Sequence, residues 1–383
     1  MRADEQSQAP AQRALNRWRR LRPAFVRRWP LSTLLAVLLL VALVAAPPAA
    51  ADRYAQRARA TETALERGFR ARDGLYVNRF PRGSHAHAWA FSQAVAAAIS
   101  IAALPDATPA ERQRATRRVV QLERYRGPLG YRSWRRGDTY VDDNEWIALD
   151  LLDWYAQSHQ RVALARALRA FALAVTGWDA RPGRPCPGGV LWARASANHD
   201  RNTVTTATGA LLGLRLHALL HRSELLWWSA RMLNWLDGCL RSPSGLYWDH
   251  VRANGSIDQT FWSYNQGSVI AADGLLYKLT NDATALARAK SLADASLSYL
   301  KPASREPPAF VALLSRDLLG LGGALDTSRY RAAVEAYADA AWRRHRDPRT
   351  GLFNFRGATT LLNVAAMVQI YAALAADPAP ERR

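Results

Sequence analysis

Cysteine is nearly absent: Cys186 and Cys239 are the whole complement of a 383-residue chain. A disulfide-stapled miniature scaffold needs far denser spacing, and a zinc or thiol-redox motif needs two Cys a few residues apart, so both classes fall away. Metal ligands are equally thin. His85 and His87 find no carboxylate or third His at a familiar spacing, so no metal and no other cofactor is expected. Neither His199-Asp200 nor Asp249-His250 joins a Ser in a nucleophile-elbow pattern; they are read as loop residues that form charge-assisted hydrogen bonds or extend a binding site. Strand-like alternation never lasts beyond a few residues, which excludes sandwiches and barrels of strands.

Lysine is scarce as well, with Lys278, Lys290 and Lys301 alone among 52 basic residues. The net charge of +20 invites a nucleic-acid reading. The first 51 residues, however, hold eight Arg against Asp4 and Glu5, which leaves +14 on the remainder. Arginine is used throughout rather than in one patch, so no nucleic-acid partner is expected. An anionic envelope polymer or membrane surface is the better counter-charge.

Residues 31–46, LSTLLAVLLLVALVAA, carry no charge, follow Arg27 and Arg28, and precede a small-residue stretch ending at Ala51. That is the plan of a secretory signal, and the run is short for a comfortable span of about 20 residues. An uncleaved anchor is the alternative, and both readings place the following chain outside the cytoplasm, secreted or tethered to the membrane. The expected organisation is therefore an Arg-rich segment over 1–30, the signal or anchor over 31–51, and one domain over 52–383. In an oxidising compartment Cys186 and Cys239 are candidates for a disulfide, with two separate buried thiols as the other reading.

From residue 52 the apolar periodicity is helical. Twelve helices are predicted over 53–72, 86–104, 109–125, 143–159, 161–177, 203–221, 223–241, 262–280, 282–300, 309–320, 327–346 and 358–376. Turn segments with an aromatic tail recur as GLYV from 74, LGYRSW from 129, GVLW from 189, GLYW from 245 and GLFNF from 351, with SREPPAF from 304 filling the one double gap. Units of roughly 55 residues with two helices each suggest six helical hairpins. Without polar capping repeats they are expected to close on themselves, giving an all-α (α/α)6 barrel with a cleft at the end where the Gly- and aromatic-rich loops gather.

The strongest chemical signal is YVDDNEW at 140–146, where Asp142, Asp143, Asn144 and Glu145 open an otherwise apolar helix. One reading is structural, with Asp142 as N-cap and Glu145 closing a capping box. The other is a carboxylate pair for glycoside chemistry. Consecutive Cα atoms lie about 3.8 Å apart, and diverging side chains bring the carboxyls near the roughly 5–5.5 Å of a retaining pair. Mutual repulsion keeps one protonated while the other is charged.

Four segments, YVDDNEW, CPGGVLW (186–192), RNTVTTATGALLGLRLH (201–217) and WSYNQGSVIAADGLLYKLT (262–280), resemble glycoside hydrolase family 76, the bacterial and fungal α-1,6-mannanase family. The resemblance implies an (α/α)6 fold and endo-hydrolysis of an α-1,6-linked mannan backbone with retention. Asp142 would be the nucleophile and Asp143 the general acid/base. Two departures stand out: Thr206 where the family often shows Asn, and Glu145 in place of a small residue. The first is expected to alter a sugar contact.

Sugar rings need flat apolar faces. Trp134, Trp192, Trp248 and Trp262 lie in or beside loops and suit that task, whereas Trp154, Trp227, Trp228 and Trp235 sit inside helices and read as core. Tyr264, Asn265, Gln266 and Gly267 open the eighth helix as Asp142 to Glu145 open the fourth, so both stand at one end of the ring. Asn265 and Gln266 then hydrogen-bond sugar hydroxyls, or else satisfy the helix end. Gly188 and Gly189 let a loop pass near substrate, or form a plain turn. With Asn144, Trp146 and Asn202 from the family segments, and Asp249 from YWDHVRANGSIDQTFWSYNQG, which resembles the family's Asp-containing hairpin leading into the last segment, these complete the expected substrate contacts. A monomer acting on a polysaccharide is expected; a glycan-binding protein without catalysis, or a transglycosylase on the same fold, is the alternative.

Overall fold

A computed structural model describes residues 50–376, apart from 135, 196–197 and 302–303. The Arg-rich segment and the apolar run at 31–46 lie outside the described residues. Twelve α-helices are found among those described: α1 (Ala50–Phe69), α2 (Ala88–Ala102), α3 (Pro109–Leu122), α4 (Val141–Ser158), α5 (Arg161–Thr176), α6 (Thr203–Leu220), α7 (Ser223–Cys239), α8 (Ser263–Thr280), α9 (Ala283–Ser296), α10 (Pro308–Leu319), α11 (Ser328–Arg344) and α12 (Leu361–Ala376).

The even-numbered helices have apolar or small residues on nearly every side and form the inner ring. α2 packs on α4, α4 on α6, α6 on α8, α8 on α10, α10 on α12, and α12 returns to α2, which closes the circle. The odd-numbered helices carry most of the ring's charged residues, and each covers an inner partner from outside. This is the expected all-α (α/α)6 barrel. A helix buried all round must be apolar all round, and one facing water on one side need not be.

Arginine is also structural. Arg118 of α3 is fully buried, yet it bridges Glu62 and Glu66 of α1, donates to the Tyr76 hydroxyl at 2.7 Å and meets the Ala94 carbonyl of α2. Its charge is thereby shared among partners that tie two outer helices to the ring, the condition under which a buried guanidinium is tolerated.

The Gly-aromatic repeat has a physical basis. After five of the outer helices the chain folds back and pairs antiparallel with itself, at Arg70 with Tyr76, Arg126 with Tyr131, Trp178 with Val190, Arg241 with Tyr247 and Arg346 with Phe353. The sixth connection, before α10, is made instead by Pro307 and Pro308. The last helix starts at Leu361 rather than 358 because Phe355 and Ala358 form a tight hairpin and Thr360 pairs with Arg79.

Start signals fare unevenly. Thr108 and Glu111 make the full capping box of α3. Asp142 does not cap α4: Tyr140 holds that position, and Asp142 and Asp143 lie within the first turn. Glu145 closes no box, because it points into the protein with neither carboxyl oxygen bonded.

Candidate active site

All six inner helices run in the same direction, so their N-termini gather at one end of the ring. There a cleft of about 590 Å³ opens. Its floor comes from α4, with Asp142, Asp143 and the ring of Trp146. Trp192 and Tyr140 form one wall, their rings 4.8 Å apart, and Phe310 of α10 with Trp89 of α2 forms the opposite one, 5.9 Å apart.

The two carboxylates differ in surroundings. Asp142 Oδ2 accepts the indole N–H of Trp192 at 3.0 Å, and Oδ1 accepts the Asp143 amide at 2.9 Å. Burial raises the Asp142 pKa, these bonds pull against that rise, and the Asp249 charge adds to it. Asp143 has no such partner among the described residues; burial pushes it well above the usual carboxylate range and the Asp142 charge pushes it further. One carboxylate is therefore bonded in its charged form and its neighbour is driven towards the neutral acid, the division that acid-assisted displacement requires.

A short antiparallel sheet brings the second polar group to the cleft. β1 (Arg201–Asn202), β2 (His250–Val251) and β3 (Ile257–Asp258) place Asn202 opposite His250 and His250 opposite Asp258. Asp249 then reaches two partners, His250 Nδ1 at 2.8 Å and the Asn265 side-chain amide at 3.0 Å, while Asp200 lies 3.9 Å from His250 Nε2. The hydrogen bond that His250 Nδ1–H donates to the Asp249 carboxylate leads the causes that raise the His250 pKa. Among the described residues, no three His, Cys, Asp or Glu side chains gather as a metal site.

Several nominated residues stand elsewhere. The Gln266 side chain clamps the Tyr247 backbone, accepting its N–H at 2.8 Å and donating to its carbonyl at 2.9 Å. Asn144 does the same for Tyr131, at 2.6 and 2.9 Å. Both are buried and pin the strand-like loops against the ring, so their amides are spent on backbone rather than turned to the cleft. Thr206 is buried too, donating to the Asn202 carbonyl and accepting from the Val190 amide, which leaves it no sugar to contact. Gly188 and Gly189 adopt φ of 115° and 81° and lie against the Trp235 and Trp178 rings instead of the cleft; a Cβ at either position would strike Trp235.

Trp134 packs on His85 and Tyr125, and Trp262 on Phe310, both behind the walls and outside the cleft lining. Trp248 is likewise outside it and offers its carbonyl to Thr203. Tyr264 does line the cleft, its ring centroid 4.1 Å from that of Phe310 and tilted by 56° to it. Cys186 and Cys239 are joined by a disulfide with Cα atoms 6.0 Å apart. The loop it anchors is held further by buried Arg201, whose guanidinium bonds the carbonyls of Pro185, Cys186 and Gly188.

His87, Trp89, Ser133, Tyr140, Phe310 and Leu313 also line the cleft, although no sequence motif nominated them for it. The available signal was position: His87, Trp89 and Phe310 stand at or within the first turns of inner helices, as Asp142 does.

No curated relative matches the chain in sequence. Among solved structures, the family 76 mannosidase Bt3792 of Bacteroides thetaiotaomicron VPI-5482 superposes with a TM-score of 0.75 at 21% identity, over 85% of this chain and 98% of that one. An inactive variant of an α-1,6-mannanase from Salegentibacter sp. HEL1_6, with two consecutive aspartates replaced and α-1,6-mannotriose bound, gives 0.73 at 18% identity over 84% and 99%. Dfg5 from Chaetomium thermophilum, in complex with glucosamine, gives 0.67 at 15% identity over 85% and 90%. The family profile described as glycosyl hydrolase family 76 matches residues 70–314. The chain belongs to glycosyl hydrolase family 76.

Proposed function

We propose that this glycoside hydrolase is an exported enzyme that cleaves α-1,6-linked mannan with retention of configuration, using Asp142 as nucleophile and Asp143 as general acid/base. The observation that carries the reading is the unequal pair in the first turn of α4: Asp142 is fixed by the Trp192 indole and the Asp143 amide, and the Asp143 carboxyl has no hydrogen-bond partner among the described residues and is pushed towards its protonated form. In the first step Asp142 Oδ attacks the anomeric carbon as the glycosidic C–O bond breaks, and Asp143 gives its proton to the departing sugar oxygen. In the second step Asp143, now charged, takes a proton from water, which displaces Asp142 and frees the sugar.

The remaining cleft groups serve binding. Trp192, Trp146, Tyr264 and Phe310 offer flat faces to sugar rings, while Asn202 and Asp249 offer hydrogen bonds to hydroxyls. The α-1,6-mannotriose bound by the Salegentibacter relative supports the linkage. Export rests on the apolar run at 31–46; among the described residues no helix is long and apolar enough to cross a membrane. The test is hydrolysis of linear α-1,6-mannan by Asp142→Asn and Asp143→Asn. Each is expected to lose at least a thousandfold in kcat while keeping the wild-type melting curve, and a folded, active Asp142→Asn enzyme refutes the assignment.

A further inference from the structure

At the same end of the ring a second groove of about 250 Å³ lies between the starts of α10 and α12 and the end of α11. Pro307 and Pro308 form part of its wall, and Phe310, two residues on, lines the catalytic cleft, so the first turn of α10 separates the two hollows. Some polar groups of this groove are already committed, the His345 ring to the Asn354 carbonyl and the Ser304 hydroxyl to the Glu306 amide, but others are not. Neither Arg344 nor Arg356 makes an ion pair or a hydrogen bond among the described residues. Tyr337 is only 7% exposed, yet its hydroxyl has no partner there either. Glu306 accepts the Ser263 amide at 3.1 Å and the Ser263 hydroxyl at 2.7 Å through Oε2, which leaves Oε1 open.

The placing of Arg356 is the second observation. Phe355 and Ala358 exchange both backbone hydrogen bonds at 3.0 Å, so Arg356 and Gly357 are the two tip residues of a tight hairpin, with φ of 52° and 74°. Such a tip requires left-handed backbone at both positions and is ordinarily filled by Asn-Gly or Gly-Gly. An arginine there is strained, and in return it makes no hydrogen bond or ion pair among the described residues, only a longer-range charge interaction with Glu306. Strain of that kind is retained where the side chain is needed for something outside.

We propose that this groove is a second sugar subsite, selective for a residue carrying a phosphate ester. The inference deepens the mannan reading by naming a charged substituent that the polymer would bear. Guanidinium groups offer paired N–H donors to phosphate oxygens, and those of Arg344 and Arg356 make no hydrogen bond or ion pair among the described residues. Glu306 Oε1, the Tyr337 hydroxyl and the Asn363 amide face the same space and suit sugar hydroxyls.

The test uses the full chain and three probes, mannose 6-phosphate, mannose and inorganic phosphate, with binding followed by titration calorimetry. Wild type is expected to bind mannose 6-phosphate at least tenfold more tightly than either fragment, and Arg356→Gly and Arg344→Ala each to lose that tenfold. Arg356→Gly suits the hairpin's left-handed backbone, so its fold is secure. Equal affinity for inorganic phosphate, or an Arg356→Gly protein that binds mannose 6-phosphate as wild type does, overturns the proposal. Hydrolysis of neutral α-1,6-mannan in parallel keeps the two readings apart: Arg356-dependent binding by a protein that leaves neutral mannan intact upholds the groove and refutes only the catalytic assignment.

Discussion

Replacing Trp192 by Phe isolates one hydrogen bond at the reacting centre. The indole N–H is the side-chain donor to Asp142 and stabilises its charged form. Phenylalanine keeps a ring against Tyr140 but has nothing to donate. A hydrogen bond to a charged group is worth about 1.5–3 kcal/mol when buried, and one pH unit corresponds to about 1.4 kcal/mol. Trp192 is 36% exposed, so water takes over part of the lost bond and the lower end applies, about 0.5–1 pH unit. The sign is upward, because a carboxylate that loses a donor holds its proton more tightly. The nucleophile must be ionised, and Asp142 is already pushed up to about 6, so the acid limb of kcat/KM on α-1,6-mannan should move from near pH 6 to roughly pH 6.5–7. The alkaline limb, set by deprotonation of Asp143, should stay in place. At pH 5 the variant would then fall about 3- to 10-fold further behind wild type than it does at the plateau. A variant whose plateau drops while its acid limb stays put shows that Trp192 serves the sugar alone, and the electrostatic argument is then wrong.

Glu145 is fully buried with both carboxyl oxygens unbonded, and burial raises its pKa well above the usual range. Between its unfolded pKa near 4.3 and its raised folded value, the unfolded chain binds fewer protons, so this residue lowers stability as pH rises. Glu145→Met should therefore stabilise by roughly 1–3 kcal/mol at pH 7 and by less at pH 4; a melting temperature that is unchanged or lower at pH 7 counts against it. Cys239→Ser opens a crosslink between residues 53 apart and should cost about 4 kcal/mol in urea unfolding, with no change telling against the crosslink's role. At Gly267 an added Cβ would come 2.9 Å from Asp317 Oδ2 and 3.0 Å from Leu314 Cα, so Gly267→Ala should force α8 from α10 at a cost of roughly 1–3 kcal/mol. A neutral Gly267→Ala melt would show that the two helices part freely.

The ring was legible because its inner helices carry apolar residues on every face and its connections repeat a chemically demanding turn. The site was legible only in part. Successive residues on a helix point about 100° apart, so YVDDNEW sends Asp142, Asp143 and Trp146 to the cleft while Asn144 turns to the Tyr131 loop and Glu145 to Gly209 of α6. Nothing in the string marks that division. Gln266 misled for a related reason: an amide at a helix start suits a sugar hydroxyl and a loop backbone equally well, and only the arrival of Tyr247 decides between them. Trp89 carries no motif and Phe310 only ends the SREPPAF turn segment; they matter because ring closure sets α2 and α10 across from α4.

The central claim is that Asp142 forms a bond to the sugar and that the product keeps its configuration. The direct measurement is proton NMR of linear α-1,6-mannan during the first minutes of digestion, before mutarotation mixes the anomers, with the Asp142→Asn protein beside it. The account predicts that the newly released reducing ends appear first as the α-anomer, from the wild type alone. First appearance of the β-anomer would mean a single inverting displacement and would contradict it.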